Sequence, residues 1–254
     1  MILERFKLEG KAALVTGAGR GIGRALAVAL AEAGADVACH SRNEGDAGET
    51  IDEITALGRR AFSVTGEMAE KETPGKIVGS VIAEFGRIDI LINNAGTIRR
   101  APAVDFSEED WSTVIEVNLS SVFRMSQAAG RRMIGQGSGK IVNIASLLSF
   151  QGGITVPAYT AAKSGVAGVT KALANEWART GVNVNAIAPG YIATDNTAPL
   201  RADETRSRQI LERIPAGRWG TPDDLAGAAV FLASAASDYL QGHILVVDGG
   251  WMAR

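Results

Sequence analysis

Short apolar, β-prone runs alternate about seven times along this chain with longer helix-periodic runs, and the connections between them are brief. Few patterns constrain a fold more tightly. A strand that is followed by a helix returns to the same end of a sheet, so its neighbours come out parallel and helices must cover both faces. The strand-like runs are "AALVTG" (12–17), "DVACHS" (36–41), "RAFSVT" (60–65), "IDILIN" (88–93), "KIVNIAS" (140–146), "VNVNAIAP" (182–189) and "ILVVDGG" (244–250). Helical periodicity fills 22–34, 45–58, 74–86, 156–180 and 221–237, and a long stretch over 107–134 opens at Ser107 with acidic residues just behind it. Residues 197–214 are polar and helical in pattern.

No composition break, repeat or low-complexity tract divides the 254 residues. The pattern predicts an α/β fold, a single doubly wound Rossmann-type domain over 1–254 with a seven-stranded parallel sheet and helices on both faces. Hydrophobic residues at 46% and charged residues at 21% are ordinary for a soluble globular chain. The formal net charge is −2 and no basic stripe is present, which argues against a nucleic-acid partner. The lone cysteine, Cys39, excludes an internal disulfide and fits a reducing, cytoplasmic setting. The first residues, "MILERFK", are charged and do not read as a secretory signal, and no uncharged apolar run reaches the ~18 residues of a membrane helix. His40 and His243 lack ligand-like spacing, so no metal site is expected.

The first strand runs into "TGAGRGIG" (16–23), where Gly17, Gly19, Arg20, Gly21, Ile22 and Gly23 form the turn into a helix. Such a loop can admit a pyrophosphate against a helix N-terminus, or it can be a tight turn with no ligand. An NAD site usually places an acid at the end of the second strand. Ser41 and Arg42 stand there instead. An arginine fork can pair with a 2′-phosphate, and Arg20 could add a second charge, so NADP(H) is favoured over NAD(H); the other reading of Arg42 is a solvated loop charge.

Three further motifs complete a set. They are "NNAG" (93–96), Ser146 at the end of the fifth strand-like run, and "AYTAAKSG" (158–165), with Tyr159 and Lys163 one helical turn apart. On its own the tyrosine–lysine pair fits an aromatic–cation contact equally well. Together with "TGAGRGIG", "APG" (188–190) and "VDGG" (247–250), the chain resembles the short-chain dehydrogenase/reductase family over essentially its whole length. The second half, in "LLSFQGGITVPAYTAAKSGVAGVT" and "APGYIATDNTAPLRADETR", is similar to members of that family that act on keto-deoxy sugar acids in uronate breakdown.

The resemblance implies an NAD(P)-dependent oxidoreductase with Tyr159 as general acid/base, Lys163 holding the nicotinamide ribose and assisting the phenol, and Ser146 bonding the developing oxyanion. It implies that Asn118 holds a relay water, although a buried amide bracing a backbone group fits the residues as well. It also implies cofactor contacts from Asn94, Ala95 and Gly96, with Asn93 bracing the strand end. Pro189, Gly190, Ile192 and Thr194 embrace the nicotinamide end, and Glu67 and Met68 stand near the adenine, where the family usually has an aspartate. For a sugar-acid carboxylate the candidates are Arg99 and Arg100, which could equally be solvent-facing, while Gln151 and Asn196 could meet hydroxyls. Residues 195–214 are expected to form a substrate lid, and the family's habit implies a homotetramer. Two alternatives stay within the same chemistry, a 3-oxoacyl thioester reductase and a gluconate 5-dehydrogenase. A non-catalytic dinucleotide-binding sensor is the rival from another class.

Overall fold

The computed structural model describes residues 1–254. Seven strands form one sheet in the order β3-β2-β1-β4-β5-β6-β7, and every neighbouring pair is parallel. In chain order these are β1 (Ala12–Thr16), β2 (Asp36–Ser41), β3 (Ala61–Thr65), β4 (Ile90–Asn93), β5 (Gly139–Ile144), β6 (Val182–Pro189) and β7 (Ile244–Val247). The helices are α1 (Gly21–Glu32), α2 (Gly48–Ala56), α3 (Thr73–Phe85), α4 (Glu108–Ile115), α5 (Ser121–Gln136), α6 (Pro157–Trp177), α7 (Ala198–Ala202), α8 (Glu204–Arg213) and α9 (Ala226–Ala233).

Side chains alternate across a strand, and β1 shows what that does to the core. Ala13 and Val15 join Leu26, Leu30, Ile54 and Leu232 on the face covered by α1, α2 and α9. Leu14 joins Met125, Met133, Leu173 and Trp177 on the face covered by α3, α5 and α6. Every residue of β1, β4 and β6 is buried, which explains why β1 and β4 read as nearly continuous apolar runs; in β6 the buried Asn183 and Asn185 break the run. The strand order reverses between β1 and β4, which pair directly. A crevice therefore opens beyond their C-terminal ends, where the connections after β1 and β4 diverge to opposite faces.

Two stretches differ from the sequence expectation. The long helix over 107–134 does begin at Ser107, whose hydroxyl accepts from the Asp110 N–H at 3.1 Å. A π-helical turn over Glu116–Ser120 then interrupts it and separates α4 from α5. The polar stretch 197–214 is two helices rather than one. Asp203 leaves helical geometry with ψ near 104° and caps α8 by accepting from the Arg206 N–H at 2.9 Å. An aspartate offers its backbone neighbours a competing acceptor, so it starts a helix more readily than it continues one.

Candidate active site

The glycine loop leaves β1 at the switch point. Gly17 takes the left-handed conformation, φ 65°. A methyl group on Gly23 would lie 2.0 Å from the Gly17 carbonyl oxygen, so the loop can close on itself only with hydrogen at that position. Gly19 lies against the Asp46 carbonyl, Gly21 against the Thr194 methyl, and Ile22 packs into the core. No side chain caps α1, whose first-turn N–H groups are left facing the crevice. A narrow glycine cradle ending in an uncapped helix N-terminus suits a dinucleotide pyrophosphate. Arg42, just past β2, is exposed and has no ion-pair or hydrogen-bond partner.

Several expected cofactor contacts prove to be spent on the protein itself. Ser41 is buried, and its hydroxyl donates to the Asn43 carbonyl at 2.8 Å, so its proton is used within the protein. The Asn94 amide donates to the carbonyls of Thr16 (2.9 Å) and Gly17 (3.1 Å), which shapes the loop from behind. The Thr16 hydroxyl in turn accepts from the N–H groups of Asn94 and Ala95, both at 2.9 Å. Arg20 is paired with Asp195 across the crevice mouth at 3.2 Å, although both side chains are largely exposed and the pair is correspondingly weak. Asn93 does brace the strand end: its amide donates to Ser126 and to Asn143, which donates on to Thr170 of α6.

The catalytic candidates converge on the other wall. Ser146 follows β5 and caps the short turn Leu147–Ser149, its hydroxyl accepting from the Leu148 N–H at 3.2 Å. That turn is stitched to α6 by Ser149, which donates to the Lys163 carbonyl, and by Ser164, which donates to the Leu148 carbonyl. The stitching brings Ser146 and Tyr159 together although twelve residues lie between them. Lys163 is buried; its ammonium stands 5.5 Å from the Tyr159 ring centroid and donates to the Ile144 carbonyl at 2.6 Å.

Burial pushes the Tyr159 phenol up to about 12, against the opposing pull of the Ser146 hydroxyl and the Arg100 charge. Burial also brings Lys163 down to about 8. Burial is the largest influence on each of the two groups. Desolvation outweighs the partners, and the lysine proton is directed at a backbone carbonyl. The phenol is held in its protonated, donor form.

Asn118, fully buried in the π turn, accepts from the Thr97 N–H at 3.0 Å and donates to the carbonyls of Thr97 (2.7 Å) and Val114 (2.9 Å). Both of its amide N–H groups are committed and its Oδ1 accepts one bond from the segment after Gly96, where a methyl would meet the Asn118 Oδ1 at 2.6 Å. Pro189 is buried at the end of β6, Gly190 lies against Asp248, and Ile192 is buried beside Gly220. Thr194 donates its N–H to the Thr197 hydroxyl in a reciprocal cap. Met68 is buried and Glu67 half-buried just past β3.

The two arginines part company. Arg99 is paired with Asp110 at 3.1 Å, so its charge is already answered. Arg100 has no carboxylate partner; it donates to the Asn196 carbonyl at 3.2 Å, and its field reaches the Tyr159 hydroxyl. Asn196 therefore takes part through its main chain, and Gln151 is half-buried beyond the Leu147–Ser149 turn. Two features escaped the sequence reading. His40 bonds the glycine loop from below, hidden in an apolar strand. Thr155 holds φ at 64°, a strained value for a β-branched residue, two residues before α6, and its carbonyl accepts from the Ala101 N–H beside Arg100.

Comparison with known proteins identifies the family. The family model described as enoyl-(acyl carrier protein) reductase matches residues 17–252. The chain belongs to this family of short-chain dehydrogenases/reductases and is an NAD(P)-dependent oxidoreductase. It is 58% identical to a 2-dehydro-3-deoxy-D-gluconate 5-dehydrogenase of Escherichia coli (strain K12) and 57% identical to one of Dickeya dadantii (strain 3937), in each case over the whole of both chains. A crystal structure from Agrobacterium tumefaciens, described as a 2-deoxy-D-gluconate 3-dehydrogenase with bound NADP, superposes with a TM-score of 0.92 at 56% identity, covering 98% of this chain and 99% of that one.

Proposed function

We propose that this chain interconverts a ketone and a secondary alcohol on a keto-deoxy sugar acid, with NADP(H) as the hydride carrier. The observation that carries the reading is the buried Tyr159 phenol placed beside the Ser146 hydroxyl and within the field of Arg100, a cation without a carboxylate of its own. The relatives' names point to the same substrate class, and the NADP in the Agrobacterium neighbour points to the same cofactor.

Bound NADPH supplies the hydride. In reduction, Ser146 steadies the carbonyl oxygen as negative charge builds on it, and Tyr159 gives it a proton. Lys163, charged below about pH 8, favours the phenolate left behind. With both amide N–H groups of Asn118 committed, a relay water there is assigned to an acceptor, the remaining lone pair of Oδ1 or the main-chain carbonyl in the π turn. Arg42 is assigned the 2′-phosphate, Glu67 and Met68 the adenine side, and the loop 17–23 the pyrophosphate. Gly96 and the 189–194 strand exit are assigned the nicotinamide side. Arg100, rather than Arg99, is assigned the substrate carboxylate.

Residues 195–214 form the lid of a single domain, with Asp195 and Asn196 as its ties to the fixed walls. Exposed Trp111 and Phe123, on α4 and α5, support assembly into a homotetramer, which light scattering tests. The buried free thiol of Cys39 suits the reducing cytoplasm.

The deciding experiment compares rates with NADPH and NADH on 2,5-diketo-3-deoxygluconate, 5-ketogluconate and an acetoacetyl thioester. The expected order puts the keto-deoxy sugar acid first, with NADPH faster. Silence on that substrate with both cofactors, or a faster thioester, overturns the substrate assignment.

A further inference from the structure

Near the end of β2, His40 is 2% exposed and sits beneath the glycine loop. Its Nδ1 lies 3.3 Å from the Gly17 nitrogen, and its Nε2 lies 3.0 Å from the Gly66 carbonyl oxygen. A carbonyl only accepts, so Nε2 must carry the proton. Nδ1 then keeps its lone pair and accepts from the Gly17 N–H. The same residue's carbonyl accepts from the Ala18 N–H at 2.8 Å. One side chain therefore ties the first glycine of the loop to the connection after β3, which continues into Glu67 and Met68. These are the two walls assigned above to the pyrophosphate and to the adenine of the cofactor.

We propose that His40 is a positioning residue of the cofactor site: its neutral, Nε2-protonated ring holds the glycine loop and the β3 exit in register, and protonation releases the loop. An imidazolium has two donors and no acceptor, so its Nδ1–H would confront the Gly17 N–H, and the bond from the loop is lost. The groups around the ring are few. β1 presents Thr16 and β3 presents Val64 as its register partners, and neither is charged. Cys39 and Ser41 point to the opposite face of β2. Burial holds His40 below the ordinary histidine value, against the smaller opposing pulls of the Gly66 carbonyl and the Glu67 charge. The loop bond is thus intact at neutral pH and fails only in acid.

This inference rests on the assignment of loop 17–23 to the cofactor, and the test separates the two. The dissociation constant of NADPH is measured by fluorescence from pH 5 to 8 on the full chain and on the variants H40N and H40A, with circular dichroism confirming the fold at each pH. Asparagine offers an acceptor near the Nδ1 position and does not titrate. A neutral hydrogen bond contributes about 0.5–1.5 kcal/mol, so H40A is expected to weaken binding by up to about tenfold at pH 7.5, with H40N recovering most of that loss. The effect appears in Kd and in the KM for NADPH, and moves kcat at saturating cofactor by less than about twofold.

The wild-type protein should lose affinity toward pH 5 more steeply than H40N. Titration of the 2′-phosphate is common to both proteins and cancels in the comparison. Superimposable pH curves for wild type and H40N, or wild-type binding by H40A, overturn the proposal. If H40A does not fold, the wild type–H40N comparison still decides. Failure of the wild type to bind NADPH at pH 7.5 instead overturns the cofactor assignment itself.

Discussion

Tyr159 is assigned the proton transfer, and its phenol, pushed up to about 12 by burial, stands protonated at neutral pH. Replacing it with phenylalanine removes the donor and leaves the loop 17–23 untouched. Turnover is expected to fall by about 10²- to 10⁴-fold, with the NADPH dissociation constant unchanged, in paired kinetic and binding assays. Lys163 sets the pH window. Its pKa of about 8 leaves it charged at pH 7, and the charge is lost as pH climbs through 8. Reduction should therefore be level below pH 8 and decline above it. In K163R, which stays charged, whatever activity remains should show no such decline up to pH 10, because an arginine does not titrate there. Arg100 carries the substrate prediction. R100M should raise the KM for the sugar acid by about tenfold or more, since a bidentate charge-assisted pair is lost, and leave NADPH binding as it was. The same change at Arg99 is expected to matter little, because Asp110 already occupies that guanidinium.

The elements show where the sequence was legible and where it was not. Short β-prone runs and their glycine punctuation located all seven strands; burial explains the continuous apolar stretches of β1 and β4, while β3 and β7 at the sheet edges are only partly buried. Tyr159, Lys163 and Ser146 were legible as residues, yet their meeting depends on the Ser149 and Ser164 bonds to α6, which no periodicity announces. The π turn was invisible for a similar reason. Asn118 lies within it, and its amide reaches across to Thr97, a long-range contact that helical periodicity does not announce. The pairing of Arg99 rather than Arg100 with Asp110 is likewise set by how the chain leaves Gly96, and adjacent arginines look alike in a sequence. N118L tests the bracing role. It leaves the Thr97 N–H and carbonyl without their partner, at about 1–3 kcal/mol for each buried group. With about 2–4 °C per kcal/mol for a chain of this size, the melting temperature should drop by roughly 5–15 °C. A drop under 2 °C would show that water or a shifted turn replaces the amide.

Across the whole molecule, one sheet joins the loop 17–23 wall to the wall carrying Ser146 and Tyr159. β1, β4 and β5 are adjacent, and the Asn93–Asn143–Thr170 chain runs through them into α6. The segment assigned as the lid is tied to both walls, through Arg20–Asp195 on one side and Arg100–Asn196 on the other. A chain built this way should unfold as one unit, since no strand can leave without exposing buried faces on its neighbours. Calorimetry is expected to record a single transition, and NADPH should move it as a whole. At a hundred times the dissociation constant a ligand that binds only the folded state adds about 2.7 kcal/mol. At about 2–4 °C per kcal/mol that is a rise of roughly 5–10 °C. NADH at the same concentration should give a smaller rise, because only the 2′-phosphate can engage Arg42, and R42A should bring the two cofactors together. Two transitions, of which NADPH moves only one, would mean that the cofactor half and the lid half fold separately. Equal shifts from the two cofactors in the unaltered protein would remove Arg42 from the selection of NADP(H).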